Sequence, residues 1–350
     1  MKNCKKKILC GFLAGAVLFA SGCGNKDTQD QAKVQRYAWP LGSSRPEDTV
    51  TQIYAEKFAE EVERLSDGTM LISVYPNSVL GGDRELLESC KEGDIPFVVQ
   101  NTAPQVTFMP DVAVFDMPAV FETIDEVREH VDNPDFLSMM QQVYGDAGYV
   151  LLGYADQGFR VMTTNRNVQS ISDFKGQKIR TMENPIHMKA WKEIGANPTP
   201  MAFSELFTAM QQGTVDGEEN PIGIISSNRF YEVQKYISLT QHVYTPYVVV
   251  MNPDKYDTLT KEQQEIVDRA MKEATQFQLE QSAKDEEEGI KIMEDYGCEV
   301  NELTDEQKME FQKIMEDADV FGVAKDAMEN PEYFDGILKE LEEYRAEGEQ

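Results

Sequence analysis

Hydrophobic and polar positions follow two different periods along the chain, and the alternation between these periods predicts strands and helices. Residues 34–41 and 70–75 alternate at every second position, as in β-strands, and residues 95–100 form a short apolar run. Apolar positions recur every three or four residues at 50–62 and 84–91, which is typical of helices. The order strand, helix, strand, helix, strand predicts a largely parallel sheet that is covered on both faces.

The same order of elements begins again at residue 178. Strands are predicted at 178–181, 198–201 and 215–218, and helices at 186–194 and 204–212. Two similar blocks, separated by about a hundred residues, favour two lobes over one large sheet. The predicted fold is therefore α/β with two lobes, each of them a mostly parallel sheet flanked by helices.

An unusually long helix is predicted after the second block. Residues 243–251 are apolar and rich in β-formers, so we expect them to return the chain to the first lobe. The helical pattern of residues 260–296 then begins with a capping box of Thr260 and Gln263 and ends before Gly297. At ~1.5 Å per residue such a helix spans ~50 Å, which is longer than one small lobe. It could therefore bridge both lobes.

Length and composition agree with a globular protein of two domains. The chain has 350 residues, of which 41% are hydrophobic, and at roughly 100–200 residues per domain this suggests two domains with cores of their own. The formal net charge is −29, from 62 acidic and 33 basic residues. Nucleic-acid binding requires clustered basic residues that neutralise phosphates, so this charge balance excludes a nucleic-acid partner.

The N-terminus predicts export and a lipid anchor. Residues 1–22 contain four lysines and no acid, and the apolar run at 8–20 is too short to cross a bilayer of ~30 Å but typical of a signal peptide. Small residues directly before Cys23 resemble the lipobox of bacterial lipoproteins, which implies an acylated Cys23; the alternative is an ordinary secretory signal with an incidental cysteine. Residues 24–33 are polar and predict a flexible tether, so we expect an extracytoplasmic protein anchored to the cell membrane by lipid.

Motifs of metal sites, nucleotide cofactors and common enzymes are absent from the sequence. The three histidines, His130, His187 and His242, do not have zinc-ligand spacing, and neither do the cysteines. Gly-x-Gly-x-x-Gly, Walker and Gly-x-Ser-x-Gly motifs are also missing. We therefore expect no metal and no cofactor, and an enzyme is the weaker class. Cys90 and Cys298 remain after export, and two unpaired thiols are favoured over a disulfide between them.

Two arginines and an asparagine are predicted to lie near strand ends, where open α/β sheets bind ligands. Arg180 lies where the strand at 178–181 ends, and Asn220 follows the strand at 215–218. Arg160 follows a predicted crossover strand between the lobes. Guanidinium groups bind a carboxylate through paired hydrogen bonds, and an amide adds a further donor, so the three indicate a carboxylate site. The alternative is that both arginines pair with acids of the chain itself, in common and weak surface ion pairs.

Several motifs in order carry a resemblance to a known family. They lie at residues 81–85, 173–180, 195–205, 216–221 and 230–236. Together they resemble the extracytoplasmic solute receptors of TRAP transporters, the DctP-type family that is named for C4-dicarboxylate uptake, over nearly all of residues 34–300. The resemblance implies a two-lobed periplasmic-binding-protein-like fold with a hinge-spanning helix. It also implies a receptor that closes around an organic anion and delivers it, without catalysis, to small and large membrane subunits.

The resemblance further implies roles for individual residues. Arg180 would be the principal carboxylate-binding residue, assisted by Asn220 and Arg160, while Phe203 lines the pocket wall and Tyr247 lies near the cleft between the lobes. The predicted ligand contacts are completed by Asp83, Met182 and Asn184. We expect a monomer that closes by a hinge motion.

The expected domain boundaries follow from the pattern and the resemblance together. After the signal peptide, residues 23–33 contain the lipidated cysteine and the tether. Residues 34–157 with 246–285 form the first lobe, and residues 158–245 with 286–350 form the second.

The first lobe is expected to select among anions. Where sialate receptors of the family carry an acidic residue and an arginine after the third strand, this chain has Asn101 and Pro104, which disfavours sialate. Gln100 and Asn101, with Glu47 and Asp48, could instead bind hydroxyl groups, which suits a uronate or a keto-sugar acid. Glu47 and Asp48 have an alternative role as favourable charges at a helix N-terminus.

Three alternatives stay open at this point, one for the ligand and two for the function. A C4-dicarboxylate is the second ligand class, with Arg45 or His187 meeting its second carboxylate, although His187 would more commonly be a helix-surface residue. A sensory receptor that reports to a membrane kinase is the alternative to transport, and an extracytoplasmic enzyme on the same scaffold is less favoured.

Overall fold

A computed structural model describes residues 36–131 and 133–348. The predicted signal peptide, Cys23 and the tether lie outside these described residues. The strands are β1 (Tyr37–Ser43), β2 (Met70–Tyr75), β3 (Phe97–Asn101), β4 (Val150–Ala155), β5 (Phe159–Thr164), β6 (Lys178–Thr181), β7 (Asn197–Pro200), β8 (Gly217–Pro221), β9 (Tyr236–Tyr244), β10 (Tyr247–Met251) and β11 (Glu299–Glu302). The α-helices are α1 (Val50–Leu65), α2 (Asp83–Glu92), α3 (Ile124–Val131), α4 (Pro134–Asp146), α5 (Pro185–Glu193), α6 (Leu206–Gln211), α7 (Ile222–Ser227), α8 (Pro253–Asp257), α9 (Lys261–Tyr296), α10 (Asp305–Asp317), α11 (Val320–Ala327) and α12 (Glu332–Gly348).

The strands form two separate sheets. The first has the order β2-β1-β3-β10-β4, in which β1 is parallel to both neighbours and β10 is antiparallel to both of its own. The second has the order β11-β9-β5-β8-β6-β7, in which β5 runs antiparallel to β8 and β9 while the other pairs are parallel. The two-sheet α/β fold expected from the sequence is confirmed, with one antiparallel strand inserted in each sheet.

The chain crosses between the sheets three times, twice through short connections and once through α8 and α9. Residues 156–158 lead from β4 to β5, and residues 245–246 lead from β9 to β10. The two connections are joined where the Tyr244 hydroxyl donates to Asp156 Oδ1 (2.7 Å) and Gln157 Nε2 donates to the Tyr247 hydroxyl (2.6 Å). These crossings are the natural places for a hinge, because few residues there carry the chain from one sheet to the other.

The apolar run at 243–251 returns the chain to the first sheet, as expected, but only its second part does so. The run is divided between β9 and β10 at Pro246, which has no N–H for a ladder bond. One prediction near the crossings needs correction. Arg160 does not follow a crossover strand; it lies inside β5, just after the first connection. The predicted helix at 204–212 is also shorter, since its first turn is a 3-10 helix and α6 begins only at Leu206.

Helix α9 contacts both halves of the molecule, as the sequence predicted. Its capping box is present: the Thr260 hydroxyl accepts from Gln263 N (3.3 Å) and Gln263 Oε1 accepts from Thr260 N (3.0 Å). At ~1.5 Å per residue its 36 residues span ~54 Å. Ala270 and its neighbours pack in the core of the first sheet, whereas Met293 packs in the core beside the second.

The C-terminal helices do not stay with one sheet. Helix α12 packs against α3 and against the 3-10 helix Pro110–Phe115, while α11 contacts both that 3-10 helix and α5. The largest hydrophobic cluster accordingly runs from Val98 beside the first sheet to Trp191 and Leu341. The lobe boundaries given above stay a prediction, and the packing of α12 differs from the assignment of all of 286–350 to the second lobe.

The two cysteines within the described residues are unpaired. Cys90 is buried, and burial raises the pKa of its thiol to about 12, while Cys298 is half-buried. The preference for two free thiols over a disulfide is confirmed. Over the same part of the chain, none of the helices combines the length and the apolar character that crossing a membrane requires.

Candidate functional site

Three buried arginines from both sheets meet in one region, which we call the arginine site. Arg45 lies in the turn after β1, Arg160 in β5 and Arg180 in β6, and none of the three is more than 2% exposed. The other two arginines act on Arg180: burial, together with the neighbouring charges of Arg160 and Arg45, lowers the pKa of Arg180 to about 10. A positive charge in this setting needs nearby acceptors or anions.

One edge of the Arg180 guanidinium donates hydrogen bonds to the protein, whereas one of its amino groups has no hydrogen-bond partner among the described residues. Its Nε and Nη2 donate to the Met201 carbonyl oxygen at 3.2 and 2.8 Å. Nη1 is buried, and no described residue accepts a hydrogen bond from it. The nearby acid Asp173 accepts bonds from Gln169 N and from Ser170 in its own turn. The carbonyl contact holds the guanidinium in place without neutralising it.

Arg160, by contrast, is paired with an acid of the chain. Its Nε and Nη2 bind the Glu219 carboxylate, with Nη2 to Oε1 at 3.0 Å, and Nη2 also reaches the Glu219 carbonyl oxygen. His242 Nε2 lies 3.2 Å from the same carboxylate, and Thr240 Oγ1 lies 2.7 Å from His242 Nδ1. Although burial alone would raise it, Arg160 and His242 hold the pKa of Glu219 well below its usual range. Arg160 thus pairs with an acid of the chain, as the alternative held, but the pair is buried and not a surface pair. Its Nη1 has no acceptor among the described residues.

Asn220 is engaged by a second buried acid that the sequence reasoning missed. Asn220 Nδ2 donates to Glu218 Oε2 (2.5 Å), and Thr163 Oγ1 donates to Glu218 Oε1 (2.9 Å). Glu218 is wholly buried, and burial raises its pKa to about 7. In the sheet register Glu218 pairs with Thr163 on β5 and with Arg180 on β6, so the three occupy one row across neighbouring strands. A glutamate two positions before a predicted ligand residue, on the same strand face, was the available sequence signal.

Neutral amides of the first sheet supply further polar groups. Gln100 and Asn101 are wholly buried at the end of β3. Both polar atoms of the Gln100 amide, and Oδ1 of Asn101, lack hydrogen-bond partners within the described chain. Asn101 Nδ2 lies 3.5 Å from the sulfur of Met182, which belongs to the second half of the molecule. Tyr247 is the register partner of Asn101 on β10, and its hydroxyl accepts from Gln157.

Arg45 joins the two halves of the site. Its guanidinium carbon lies 4.3 Å above the ring centroid of Phe203, and Nη2 lies 3.4 Å from Asp83 Oδ2. The other carboxylate oxygen of Asp83 accepts from Ser44 Oγ at 2.5 Å. Nε and Nη1 of Arg45 are buried and find no acceptor in residues 36–131 or 133–348. Sequence reasoning treated Arg45 only as an alternative, because a turn residue gives no periodic signal.

A cavity of about 150 Å³, here called the central cavity, opens beside Arg180. Several of the polar residues described above do not belong to its lining: Arg45, Arg160, Glu218, Asn220, Gln100, Asn101 and Tyr247. Its walls include Arg180, Met182 and Phe203 from the second half of the chain and Asp83 from the first. Its size fits a small organic molecule, and its polar groups include guanidinium donors and a carboxylate acceptor. Across the described residues no cluster of three or more His, Cys, Asp or Glu side chains is arranged to hold a metal ion.

The structure does not bring all of the predicted contacts to this cavity. Glu47 and Asp48 are exposed and lie outside its lining, since they belong to the surface turn before α1. Asn184 is occupied: its Oδ1 accepts from Ile186 N (2.9 Å) at the start of α5, and its Nδ2 donates to the Ala103 carbonyl (3.1 Å). We therefore assign Asn184 to helix capping and to contact between the halves, not to ligand contact.

The sequence suggested that His187 either meets a second ligand carboxylate or lies on a helix surface, and its position in the structure favours neither. It is buried rather than on a helix surface, with an exposure of 2%. Its Nε2 lies 2.9 Å from Asp116 Oδ1, and Asp116 is itself wholly buried. A carboxylate of the chain already occupies this side of the ring, so His187 is poorly placed to receive a second carboxylate of a ligand.

Comparison with known proteins gives one consistent picture. Residues 41–319 match the family described as bacterial extracellular solute-binding protein, family 7 (DctP). The 2,3-diketo-L-gulonate-binding periplasmic protein of Escherichia coli K12 is 32% identical over 260 residues, which are 74% of this chain and 78% of that protein. The C4-dicarboxylate-binding protein of Bacillus subtilis 168 is 31% identical over 274 residues, 77% of each chain.

A solved structure agrees with these relatives. The TRAP periplasmic solute-binding protein of Polaromonas sp. JS666, bound to D-erythronate, has a TM-score of 0.81 and 34% identity, and the match covers 87% of this chain and 98% of that one. The resemblance that the motifs indicated is confirmed.

The Arg160–Glu219 pair generates a stability prediction. Arg160→Ala leaves the buried Glu219 carboxylate without its main counter-ion, so we expect the free energy of unfolding to fall by roughly 3–5 kcal/mol. Urea denaturation measures this change. Lys313→Ala, which removes a lysine from an exposed pair with Asp317, is the matched control and should leave the midpoint unchanged. Equal midpoints for both variants would show that the buried pair is not needed for the fold.

Proposed function

The chain belongs to family 7 of the bacterial extracellular solute-binding proteins, and on this premise we propose that it is the TRAP receptor for a sugar acid. The ligand carboxylate binds Arg180 in the central cavity, and its hydroxyl groups bind the polar side chains of the first half. The single observation that carries this proposal is the buried Nη1 of Arg180, which points to an acceptor that the protein does not supply.

The charges of the arginine site favour an anion at Arg180. Arg160 is matched by Glu219, and Arg45 is partly matched by Asp83. The hydrogen bonds of Arg180 within the described residues go to the Met201 carbonyl oxygen, which carries no formal charge, while Glu218 and Glu219 act on it only through space. A carboxylate accepts two hydrogen bonds from a guanidinium and neutralises it, so it fits Arg180 better than any neutral group.

The first half of the site favours hydroxyl groups over a second carboxylate. Asp83 lies in the cavity wall beside Arg45, and its negative charge would repel a second ligand anion there. Together the pair offers both donors and an acceptor, which is what a hydroxyl group uses. Gln100 and Asn101 are neutral and have the same dual character. A polyhydroxy acid with one carboxylate therefore matches this arrangement.

The relatives support this ligand class. The Escherichia coli relative is a binding protein for a keto-sugar acid, and the Polaromonas structure contains a sugar acid. The Bacillus subtilis relative binds C4-dicarboxylates, which makes these the second candidate ligand. One observation favours that candidate: Nε and Nη1 of Arg45 also lack partners within the described residues.

Ligand binding is coupled to closure of the two halves. Asn184 with the Ala103 carbonyl, Asn101 with Met182, and Arg45 with Phe203 all join groups from opposite sides of the cavity. Contacts of this kind are made only when the halves are together, so a ligand that bridges the cavity stabilises the closed form. The closed form then delivers the solute to the membrane subunits, and the receptor acts by binding, as a monomer, without catalysis.

The N-terminal segment fixes the proposed location of the receptor. Signal-peptide removal and acylation of Cys23 would anchor the receptor at the outer face of the cell membrane through the polar tether. Finding genes for two membrane subunits beside the receptor gene would support uptake, whereas finding a membrane kinase gene there would support the sensory alternative.

A thermal-shift panel tests the ligand class. We expect uronates, aldonates and keto-sugar acids to raise the melting temperature, because a ligand at 100 times its dissociation constant adds roughly 2.7 kcal/mol of stability. Succinate and malate at equal concentration should give much smaller shifts. The reverse order would replace the sugar acid by a C4-dicarboxylate, and the absence of any shift would remove the carboxylate proposal.

Substitution of Arg180 tests the binding residue. Arg180→Ala should weaken sugar-acid affinity at least tenfold, roughly 1.4 kcal/mol or more, through loss of a charge-assisted hydrogen bond. Arg180→Lys should be nearly as weak, because a single ammonium cannot replace the planar fork. Titration calorimetry measures both. The exposed Arg166, changed to Ala, loses the same charge and should bind as the wild type does; an unchanged Arg180→Ala would refute the assignment.

A further inference from the structure

We propose that Glu218 is a positioning residue that sets the orientation of the Asn220 amide, so that binding of the ligand carboxylate is accompanied by uptake of one proton at Glu218. This inference rests on the proposed function, because it concerns the same carboxylate site.

Glu218 and Asn220 are tied together on one strand. Both belong to β8 and, being two positions apart, project from the same face, which the register shares with Arg180 on β6. The Asn220 amide nitrogen donates to one oxygen of Glu218, and the Thr163 hydroxyl donates to the other. Both oxygens accept, which is the pattern of an ionised carboxylate.

An ionised Glu218 turns Asn220 the wrong way for an anionic ligand. A carboxylate can only accept, so it draws the amide nitrogen toward itself and leaves Oδ1 on the opposite side of the amide. An oxygen acceptor on that side repels a ligand carboxylate. A protonated Glu218 instead donates its O–H to Asn220 Oδ1, and the amide turns by half a rotation to present its N–H groups. Thr163 serves both states, because its hydroxyl can still donate to the other oxygen of Glu218.

The charges around Glu218 permit this change. Arg180 faces it from β6, Arg160 approaches from β5, and Glu219 adds a negative charge on its own strand. Neither arginine donates a hydrogen bond to it, because Arg160 is committed to Glu219 and Arg180 to the Met201 carbonyl. Burial already raises the pKa of Glu218 to about 7. A ligand carboxylate adds a further negative charge nearby and raises that pKa again.

Proton linkage fixes the sign of the effect. Below the pKa of Glu218 in the ligand-free protein, the proton is already present and affinity does not depend on pH. Above that pKa, each complex must take up a proton, so affinity falls as pH rises, by up to about tenfold per pH unit. Other buried acids and histidines can also titrate, among them Asp116, His242 and Asp285, so a variant must isolate Glu218.

Calorimetry on the wild-type protein and three variants tests the inference, with D-glucuronate, D-galacturonate and D-gluconate as probes. Titrations at about pH 6 and about pH 8.5 should show a dissociation constant that rises by at least about tenfold. Near pH 8, titrations in buffers of different ionisation enthalpy should show uptake of nearly one proton. Glu218→Gln should bind at both pH values as tightly as the wild type does at the lower one, because a glutamine donates to Asn220 Oδ1 permanently.

Controls separate this mechanism from a merely structural role. Glu205→Gln removes an exposed carboxylate from the same half of the chain and should keep the wild-type pH dependence. Asn220→Ala should bind more weakly at the lower pH and lose most of the dependence. Wild-type binding without pH dependence, or proton uptake that persists in Glu218→Gln, would overturn the inference and leave the receptor function standing. Failure of all three acids to bind would remove the proposed sugar-acid function and this inference with it.

Discussion

Burial of three guanidinium groups in one small site is the constraint on which the rest of the structure depends. A positive charge removed from water is costly unless an anion or several acceptors surround it. The protein supplies Glu219 to Arg160, and Asp83 with the ring of Phe203 to Arg45. Arg180 receives only a carbonyl oxygen. The site therefore keeps one cation without a hydrogen-bonded acid, although Glu218 and Glu219 lie near enough to raise its pKa. The proposed affinity for an organic anion depends on this unfilled hydrogen-bond position. The net charge of −29 would repel such an anion at long range, but salt screens that repulsion beyond ~8–10 Å.

The fold serves this site by bringing strand ends together from two sheets. Strands β5, β8 and β6 are neighbours, so Arg160, Asn220 and Arg180 lie on adjacent strands rather than on flexible loops. The turn after β1 brings Arg45 from the other sheet, and its backbone is held where Asn77 N donates to the Arg45 carbonyl (2.8 Å). The two short crossings and α9 connect the halves, so closure can be a rotation about a few residues while each sheet stays rigid. Rigid halves that close on a bridging ligand suit a receptor whose task is to bind and release.

The sequence predicted the parts of this account that depend on local pattern. Strand ends are readable from periodicity, so Arg180 and Asn220 were found at the ends of β6 and β8, and the capping box located the start of α9. Contacts between distant segments were not readable. With 62 acids in the chain, nothing in the order of residues selects Glu219 as the partner of Arg160. Pro246 marks a break in the apolar run at 243–251 that is visible in the sequence, but the placement of the two parts in different sheets appears only in the tertiary fold.

Other residues show where one-dimensional reasoning confuses roles. Asn184 precedes a proline at the start of a helix, which is a helix-start signal in its own right, yet the resemblance suggested a ligand contact. Glu47 and Asp48 are polar residues near a predicted site, but exposure separates them from it. Glu218 was passed over because a buried glutamate and an exposed one look alike in sequence. Burial and partner identity, which turn a polar residue into a binding group, belong to the packed structure alone.

A crystal structure of the protein with a bound sugar acid such as D-galacturonate tests the role of Arg180 most directly. We expect the ligand carboxylate to lie in the central cavity with an oxygen about 3 Å from Arg180 Nη1. A ligand whose carboxylate lies elsewhere, with Arg180 Nη1 bound to an acid of the protein, would contradict it.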